Sequence, residues 1–470
     1  MTTTNKIWNF FDTDFYQITM GFSYVISGKN QEKTGFEGFV RNIKPIINPN
    51  EDFYIFDGEN EVHEFMKKIK EELNNPEISN KFIELVESKI TSKNKEELIK
   101  KFRENWESID TDFEYNVISN GTIVKDFVPV FQFYGDKMIG QMIETPITNI
   151  YNGKTGLKTL KYLSNKGLIK IPSSELKYLE GIMDSNVEDI KQYKKELKEK
   201  AKEFRDSTTD ILLEAAFRRS PSFHTALIAT EVAIEEGWNG TSNVAAYQRK
   251  IIKKDKIGGS MAHAFVMSYN TEKQAIIDYD KIFPGTTILI DTYDVVECIK
   301  IIIEMVNSGE ITKPNMVRID SDPLEGYIEE VGNILKDNNV DIGIFISGDM
   351  TPQRLKELKD YKASMAGTKY VYFNDILSKI NCGFVYKIVQ YEQNINDKKQ
   401  VFYPEKKATG KKNYTGLKNC KYDINNNKLF ISGHTNYFGL NHINKINQDT
   451  EIVFNFSAVS DVFINKESRI

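Results

Sequence analysis

Three segments of similar design follow one another in the second half of the chain: TTILIDTYD at residues 286–294, MVRIDSD at 316–322 and IGIFISGDM at 342–350. Each segment is an apolar, β-prone run that ends in a polar cluster with an aspartate, and a helical pattern follows it. An earlier cluster, GGSMAHAF at 258–265, places His263 at the equivalent point of a preceding unit. These four units determine the predicted fold.

The spacing of the units identifies their architecture. Their terminal polar residues, His263, Asp291, Asp320 and Asp349, are separated by 28, 29 and 29 positions. A period of about 30 residues is the length of one strand–loop–helix–loop unit, and continuous apolar strands are typical of parallel sheets covered by helices. We therefore predict an α/β fold with an irregular (β/α) barrel; a doubly wound open sheet is the alternative.

The predicted barrel has a functional consequence. The carboxyl ends of barrel strands converge on one face, where active sites are built. A single aspartate after a strand is commonly a turn or helix-capping residue. Four polar residues in register, one of them a histidine, instead predict a shared pocket.

The chain is long enough for more than one structural unit. We predict an N-terminal α+β module at residues 1–135 and a catalytic barrel at 136–383. A β-rich segment at 384–470 has strand-like runs without a long helix and is expected to pack on the N-terminal module.

Composition excludes several functional classes. The net charge is −5 and Lys alternates with Glu, so no nucleic-acid partner is expected. Three cysteines without CxxC spacing indicate a reducing compartment and no structural zinc site. No signal peptide and no apolar run of about 18 residues is found, so we expect a soluble cytoplasmic protein without membrane contact.

His263 is the strongest catalytic candidate. It follows Gly-Gly-Ser, small residues that would let phosphates approach the backbone. An imidazole oriented by a carboxylate can attack a phosphoryl group, and Asp291 at the next strand end is the expected orienting partner. The alternative is a buried histidine with satisfied hydrogen bonds.

Anion-binding candidates lie near the same strand ends. Arg218 follows a short apolar run, and Arg318 points to the same side of its strand as Asp320. A simple salt bridge is the alternative for Arg318. Gly348 and the Gly367-Thr368 pair fall where phosphates bind in barrels. No Walker A motif is present; Mg²⁺ would be held by strand-end aspartates together with substrate phosphates.

Several motifs together resemble the nicotinate phosphoribosyltransferase family. They are GWNGTSNVAAYQRK at 237–250, GGSMAHAFVMSY at 258–269, the opening TDFYQITMGFSYVISGK at 13–29, and then IDTYD, VRIDS, ISGD and AGT in the family's order. The resemblance implies a type II phosphoribosyltransferase with an irregular barrel and an α+β module built from both chain ends. It also implies a homodimer with shared active sites.

The resemblance implies a role for each matching position. His263 matches the phosphorylated histidine and Asp291 its carboxylate neighbour. Arg318 matches the arginine facing the pyridine carboxylate, and Tyr16, accompanied by Asp14, matches an aromatic that stacks on the pyridine, often from the partner subunit. The positions that match phosphate- and ribose-binding residues are Arg218, Gly348, Asp349 and Gly367.

The implied reaction joins nicotinate to the ribose of 5-phosphoribosyl 1-pyrophosphate, and ATP is hydrolysed through the phosphohistidine. Nicotinamide phosphoribosyltransferases, the sister enzymes, have an aspartate where this chain has Ser242. A serine hydroxyl can donate to nicotinate, whereas a carboxylate would repel it. The sequence therefore favours the acid over the amide.

The chain departs from the family pattern at two positions. Asp320-Ser321-Asp322-Pro323 lacks the usual glycine, and Ala215 replaces an aromatic residue, so that either Phe217 supplies the second ring or that face is weaker. These departures support one alternative, a catalytically weakened phosphoribosyl-binding relative. Nicotinamide transfer is a second alternative, which Ser242 disfavours. A barrel lyase is disfavoured because no lysine lies at the four strand ends.

Overall fold

The computed structural model describes residues 8–41, 53–124, 127–396, 398–404, 415–423, 428–434 and 449–455. The strands in these ranges are β1 (Lys33–Val40), β2 (Tyr54–Ile55), β3 (Glu114–Val117), β4 (Ile123–Val124), β5 (Phe131–Asp136), β6 (Ile211–Glu214), β7 (Gly240–Thr241), β8 (Ile288–Leu289), β9 (Met316–Ile319), β10 (Gly343–Ile346), β11 (Ala363–Ala366), β12 (Phe384–Ile395), β13 (Lys398–Phe402), β14 (Asn419–Asp423), β15 (Lys428–His434) and β16 (Asp449–Asn455).

The α-helices are α1 (Phe15–Ser27), α2 (Glu59–Leu73), α3 (Ile78–Val86), α4 (Lys95–Trp106), α5 (Lys137–Met142), α6 (Glu144–Asn165), α7 (Ser173–Met183), α8 (Val187–Arg205), α9 (Phe223–Glu235), α10 (Val244–Gln248), α11 (His263–Met267), α12 (Glu272–Asp280), α13 (Val295–Asn307), α14 (Leu324–Asp337), α15 (Pro352–Glu357), α16 (Thr368–Val371) and α17 (Asp375–Lys379). Short 3₁₀ turns occupy Lys29–Gln31, Glu87–Lys89, Phe217–Arg219 and Lys254–Lys256.

A six-stranded parallel sheet forms the centre of the molecule, in the order β7-β6-β11-β10-β9-β8. Alternate residues of three strands line one inner cavity: Ile211 and Leu213 of β6, Met316 and Arg318 of β9, and Ala363 and Met365 of β11. Alternate strand residues point to the same face, so one face of the sheet borders this cavity, with contributions from strands on both sides of its centre. The predicted α/β class with a parallel sheet is confirmed, and the sheet has the form of an irregular barrel.

The strand ends agree with the sequence pattern for three of the four units. β8, β9 and β10 end directly before the polar clusters that contain Asp291, Asp320 and Asp349. The prediction of a strand before His263 is wrong: the chain there forms a 3₁₀ turn, with one bridge from Ile257 to Thr241, and α11 begins at His263. The run IIKKDK carries four charged residues, which a strand buried on both faces does not accommodate.

A second, antiparallel sheet combines both ends of the chain, in the order β13-β12-β1-β5-β3. β1 lies between β5 and β12, and Phe36 pairs with Ile388. The strands β14, β15 and β16, in the segment predicted to be β-rich, form a separate three-stranded antiparallel sheet. The exact domain boundaries stay predictions.

The helical excursion before β6 is less exposed than its charge pattern suggested. The Lys and Glu residues at i, i+4 spacings in the sequence of α8 predict a solvated helix with almost no apolar face, but Tyr193, Leu197, Ala201 and Phe204 are fully buried. Because these four residues are spaced by 4, 4 and 3 positions, they lie along one side of the helix. The many lysines and glutamates between them make this apolar side difficult to recognise in the sequence. Among the residues described, no helix is long and apolar enough to cross a membrane.

Candidate active site

A cavity of about 330 Å³ lies beyond the carboxyl ends of the parallel strands. Ten of the residues predicted from the sequence line it: Asp14, Tyr16, Arg218, His263, Arg318, Asp320, Gly348, Asp349, Gly367 and Thr368. Asp291 lies behind this wall, and Ser242 lines the inner cavity of the barrel instead. The structure therefore brings together side chains that lie more than 300 positions apart in sequence.

His263 is the first residue of α11 and is only partly buried. Its Nε2 atom lies 3.6 Å from Asp320 Oδ2 and 3.9 Å from Asp291 Oδ1, both longer than a hydrogen bond. Its Nδ1 atom lies 3.1 Å from the hydroxyl of Thr292. The expectation that Asp291 orients the ring is therefore corrected: this hydrogen bond comes from the next residue, Thr292, and Asp291 faces the other ring nitrogen.

Hydroxyl groups hold the two carboxylates near His263. Ser321 Oγ donates to Asp291 Oδ2, and Ser347 Oγ donates to Asp320 Oδ1 at 2.8 Å. The Asp291 side chain is almost completely buried, whereas 30% of the Asp320 side chain is exposed. Asp320 is therefore the carboxylate that a ligand in the cavity can reach.

Arg318 offers a buried donor to both cavities. It is 7% exposed, and among the described residues its Nε atom has no hydrogen-bonding partner. A buried guanidinium donor without a partner is costly unless a ligand accepts its hydrogen bond. Arg318 is thus prepared for an anionic ligand.

Arg218 is held by an acidic residue of the cavity wall. Its Nη1 atom donates to Glu144 Oε1 at 2.8 Å. Electrostatic attraction to Tyr16, and also to Glu144 and Asp14, raises the pKa of Arg218 above its usual value although burial opposes this. Arg218 therefore stays positively charged at all physiological pH values.

The N-terminal segment brings Tyr16 to the cavity within its own chain. The Phe15 amide donates to the Ser242 carbonyl at 2.6 Å, and Asp14 accepts hydrogen bonds of 2.6 Å from the hydroxyls of Ser242 and Thr145. Burial raises the pKa of Asp14, although both hydrogen bonds oppose this. Because the Ser242 hydroxyl donates to Asp14, the expectation that it donates to nicotinate is corrected.

Phe217 does not supply the aromatic ring that the family has at the position of Ala215. That side chain is fully buried and stacks on Trp8, with the ring centroids 5.9 Å apart and an interplanar angle of 11°. Ala215 faces both cavities. Of the two alternatives left by the sequence, the structure supports the weaker aromatic face.

The glycines at the two cavities are required at their positions for different structural reasons. Gly348 has φ +112°, a conformation that L side chains rarely adopt. A Cβ on Gly367 would lie 2.7 Å from the Ala215 carbonyl oxygen, and one on Gly259 would lie 2.8 Å from the Tyr16 amide nitrogen. Gly258 and Gly259 both line the inner cavity, and of the two only Gly259 packs closely on Tyr16.

Several residues in the cavity wall or directly behind it were not predicted as site residues from the sequence. Thr292 and Glu144 contact His263 and Arg218, and four further cations line the wall: Arg41, Arg219, Arg354 and Lys387. Arg354 forms an ion pair with Asp322, in the turn that lacks the expected glycine. The Arg218-Arg219 pair was the only sequence signal for this group, since the other cations come from distant elements.

No family model matches the chain. The curated proteins that are similar to it carry the same name. Nicotinate phosphoribosyltransferase pncB2 of Mycobacterium tuberculosis is 26% identical over 42% of this chain and 43% of that protein. Nicotinate phosphoribosyltransferase of Bacillus subtilis is 24% identical over 81% of this chain and 67% of that protein. The matched stretch thus spans less than half of the first relative and about two thirds of the second.

Solved structures share the fold. A nicotinate phosphoribosyltransferase from Porphyromonas gingivalis has a TM-score of 0.54 at 18% identity, covering 87% of this chain and 96% of that one. Another from Vibrio cholerae has a TM-score of 0.55 at 14% identity, covering 87% of this chain and 91% of that one. The ordered sequence motifs and the curated relatives support the nicotinate phosphoribosyltransferase family, and the solved structures show the common fold.

Proposed function

We propose that this protein is a nicotinate phosphoribosyltransferase, which forms nicotinate mononucleotide and pyrophosphate from nicotinate and 5-phosphoribosyl 1-pyrophosphate. The observation that carries the proposal is a single cavity in which His263 and Asp320 face Arg218, Arg318 and Tyr16. An imidazole beside a carboxylate suits phosphoryl chemistry, and the arginines suit anionic substrates. The names of the relatives supply the identity of the base.

The base would bind between Tyr16 and Arg318. Both residues border the active-site cavity and the inner cavity, so they mark the place where the two spaces meet. A tyrosine ring offers a stacking surface for a pyridine, and the unsatisfied Nε donor of Arg318 suits a carboxylate. Nicotinate carries that carboxylate, whereas nicotinamide does not.

The activated ribose would bind along the strand ends that carry Asp320 and Asp349. Both carboxylates line the cavity, and both are accessible to a ligand. Among the described residues no group of three or more acidic, histidine or cysteine side chains could hold a metal alone. These two aspartates fit Mg²⁺ shared with substrate phosphates, where the ion would neutralise the leaving pyrophosphate.

The reaction at the ribose depends on positioning and charge. The pyridine nitrogen attacks the anomeric carbon as the bond to pyrophosphate breaks, through a state with oxocarbenium character. Arg218 and the other cations of the wall would stabilise the phosphates in this state. Glu144 fixes Arg218 in the required direction.

ATP would be the second phosphorylated substrate. His263 is partly exposed to the cavity and has one ring nitrogen directed towards Asp320, which suits transient phosphorylation of its imidazole. Hydrolysis of the phosphohistidine would drive synthesis of the nucleotide. We further propose a cytoplasmic location, which the three cysteines without pairing motifs support, and a homodimer, which the family resemblance supports.

A product assay tests the proposal. Purified protein is incubated with the activated ribose and Mg²⁺, with nicotinate or nicotinamide, and with or without ATP. We expect nicotinate mononucleotide, with more product when ATP is present. Preference for nicotinamide would replace the proposal with the amide-specific reaction, and no pyrophosphate release with either base would favour the weakened phosphoribosyl-binding relative.

A further inference from the structure

An ion pair at the edge of the active-site cavity joins two neighbouring units of the barrel. Asp322 lies in the turn between β9 and α14, and Arg354 lies in α15, which follows β10. Arg354 Nη2 donates a hydrogen bond to Asp322 Oδ1, and both side chains line the cavity. Neither residue is among the positions to which the family resemblance gives a role, so the pair needs an explanation of its own.

The two partners differ in their exposure to solvent. Only 22% of the Arg354 side chain is exposed, whereas 71% of the Asp322 side chain is exposed. A second carboxylate, Glu325, has its Oε1 atom 3.9 Å from Arg354 Nε, too far for a hydrogen bond. Among the described residues, the Arg354 guanidinium therefore has one hydrogen-bonding partner, and that partner lies largely in water.

Arg218 shows the opposite arrangement in the same cavity. Its partner, Glu144, is almost completely buried, and Gln17 binds the second oxygen of that carboxylate. A buried carboxylate that left its arginine would stay unpaired inside the protein, which is costly. Asp322 can leave Arg354 at little cost, because water replaces the hydrogen bond and exposed ion pairs contribute little to stability.

A phosphate group is a stronger partner for Arg354 than a carboxylate is. It carries about two negative charges at neutral pH, and its oxygens can accept from two N–H groups of one guanidinium at once. Asp320 and Asp349, beside which the activated ribose is proposed to bind, follow the same two strands as this ion pair. Arg354 thus lies beside the proposed substrate, while Asp322 occupies one of its donors.

We propose that Arg354 exchanges Asp322 for a phosphate group of the substrate, and that Asp322 thereby sets the affinity for phosphorylated ligands. The inference rests on the proposed function, which supplies the phosphates. Before a phosphate binds, Asp322 holds the guanidinium at the edge of the cavity. When it binds, Arg354 donates to the phosphate oxygens and the Asp322 carboxylate turns into the solvent. Asp322 is then a competitor of the substrate, whereas Glu144 is a support for its arginine.

A competitor and a support predict opposite effects when the carboxylate is removed. Asp322→Asn keeps the size of the side chain and removes its charge, so loss of a competitor tightens binding and loss of a support weakens it. Arg354→Gln removes the proposed phosphate-binding group itself. Glu325→Gln is the matched control, since it removes a negative charge near Arg354 that makes no hydrogen bond to the guanidinium.

Calorimetric titration of the full-length protein in a Mg²⁺ buffer tests the exchange with two probes. Inorganic pyrophosphate represents the leaving group, and nicotinate mononucleotide carries the 5′-phosphate alone. For at least one probe, we expect Asp322→Asn to lower the Kd about two- to fivefold and Arg354→Gln to raise it about tenfold. The probe that responds identifies the phosphate that Arg354 binds.

The variant with both substitutions shows whether Asp322 acts through Arg354. In the Arg354→Gln background, Asp322→Asn should lower the Kd no more than Glu325→Gln does in the wild-type background, because the competed donor is gone. Tighter binding in Asp322→Asn cannot result from a damaged fold, and thermal unfolding checks the fold of Arg354→Gln.

Several results would overturn the exchange. They are an unchanged or higher Kd in Asp322→Asn with both probes, an equal decrease in Glu325→Gln, and an unchanged Kd in Arg354→Gln. Wild-type protein that binds neither probe would overturn the proposed function and this inference together. Binding that responds to both substitutions, without nucleotide synthesis from either base, would overturn the proposed function alone.

Discussion

The Glu144 carboxylate fixes the Arg218 guanidinium at the cavity wall, with Oε1 2.8 Å from Nη1. The other oxygen, Oε2, accepts a hydrogen bond of 2.7 Å from Gln17. Glu144 is almost completely buried at the start of α6. An acidic side chain in a run of apolar residues thus determines the direction of a cation from another part of the barrel.

Replacing Glu144 is therefore expected to weaken phosphate binding. Glu144→Gln removes a charge-assisted hydrogen bond of about 1.5–3 kcal/mol, and Arg218 loses its fixed direction. The KM for 5-phosphoribosyl 1-pyrophosphate should rise about tenfold or more by the same estimate. Glu61→Gln is the control, because Glu61 pairs with Lys154 on the surface and should leave the KM unchanged. Equal KM values for Glu144→Gln and wild type would contradict this role.

His263→Ala should abolish the stimulation of ATP hydrolysis by nicotinate and leave the fold intact. The histidine lies at the start of a short helix and is partly exposed, so its removal creates no large core cavity. Phosphate release is measured with and without nicotinate, and thermal unfolding checks the fold. His63→Ala is the matched control, since His63 is exposed and contacts Tyr115 rather than the cavity. Persisting stimulation in His263→Ala would remove the phosphohistidine from the mechanism.

Arg318→Ala should raise the KM for nicotinate far more than that for nicotinamide. The substitution removes the buried Nε donor, and only the acid has a carboxylate that would lose a charge-assisted hydrogen bond, an effect of about 1.5–3 kcal/mol or roughly 10- to 100-fold. Steady-state kinetics with both bases measure the difference. If both KM values rise by the same factor, Arg318 does not recognise the carboxylate.

Mixed dimers test whether Tyr16 serves the cavity of its own chain. Tyr16 and His263 line one cavity in a single chain, although the family resemblance allows the aromatic to come from a partner. When Tyr16→Ala and His263→Ala chains are co-expressed and the mixed dimer is purified, neither cavity should contain both residues. We expect no recovery of activity over the separate variants. Recovery of about half the wild-type activity would show exchange of Tyr16 between subunits, since one of the two sites would then be intact.

The buried carboxyl group of Asp136 should make the free energy of unfolding depend on pH. It caps α5 through Oδ1, and burial raises its pKa from 3.8 to about 7. The folded state binds this proton more tightly than the unfolded state, so the free energy of unfolding should fall as pH rises from about 4 to about 7. Asp136→Asn keeps the capping oxygen without the charge. Its stability relative to wild type should therefore increase between pH 5 and pH 8 by a few kcal/mol at most, at about 1.4 kcal/mol per pKa unit.

Chemical denaturation of both proteins at pH 5 and pH 8 measures this difference. The same buffers applied to Asp110→Asn serve as the control. Asp110 is exposed, and its lysine partner lowers its pKa instead of raising it. An Asp136→Asn protein whose advantage is equal at both pH values would show that Asp136 is not protonated in the folded state.

The sequence alone determined the parallel α/β units and the strand-end residues of the site, because both depend on local patterns, whereas Asp14, Tyr16 and Ser242 came from the family resemblance. An apolar run that ends in a polar cluster specifies a buried strand and its end, so the sequence places Asp291, Asp320 and Asp349 at strand ends. The tertiary structure decided which groups touch. Ser242 donates to Asp14, Thr292 rather than Asp291 binds Nδ1 of His263, and Glu144 holds Arg218. Hydrogen bonds act over about 3 Å between atoms brought together by folding, and no spacing along the chain encodes them.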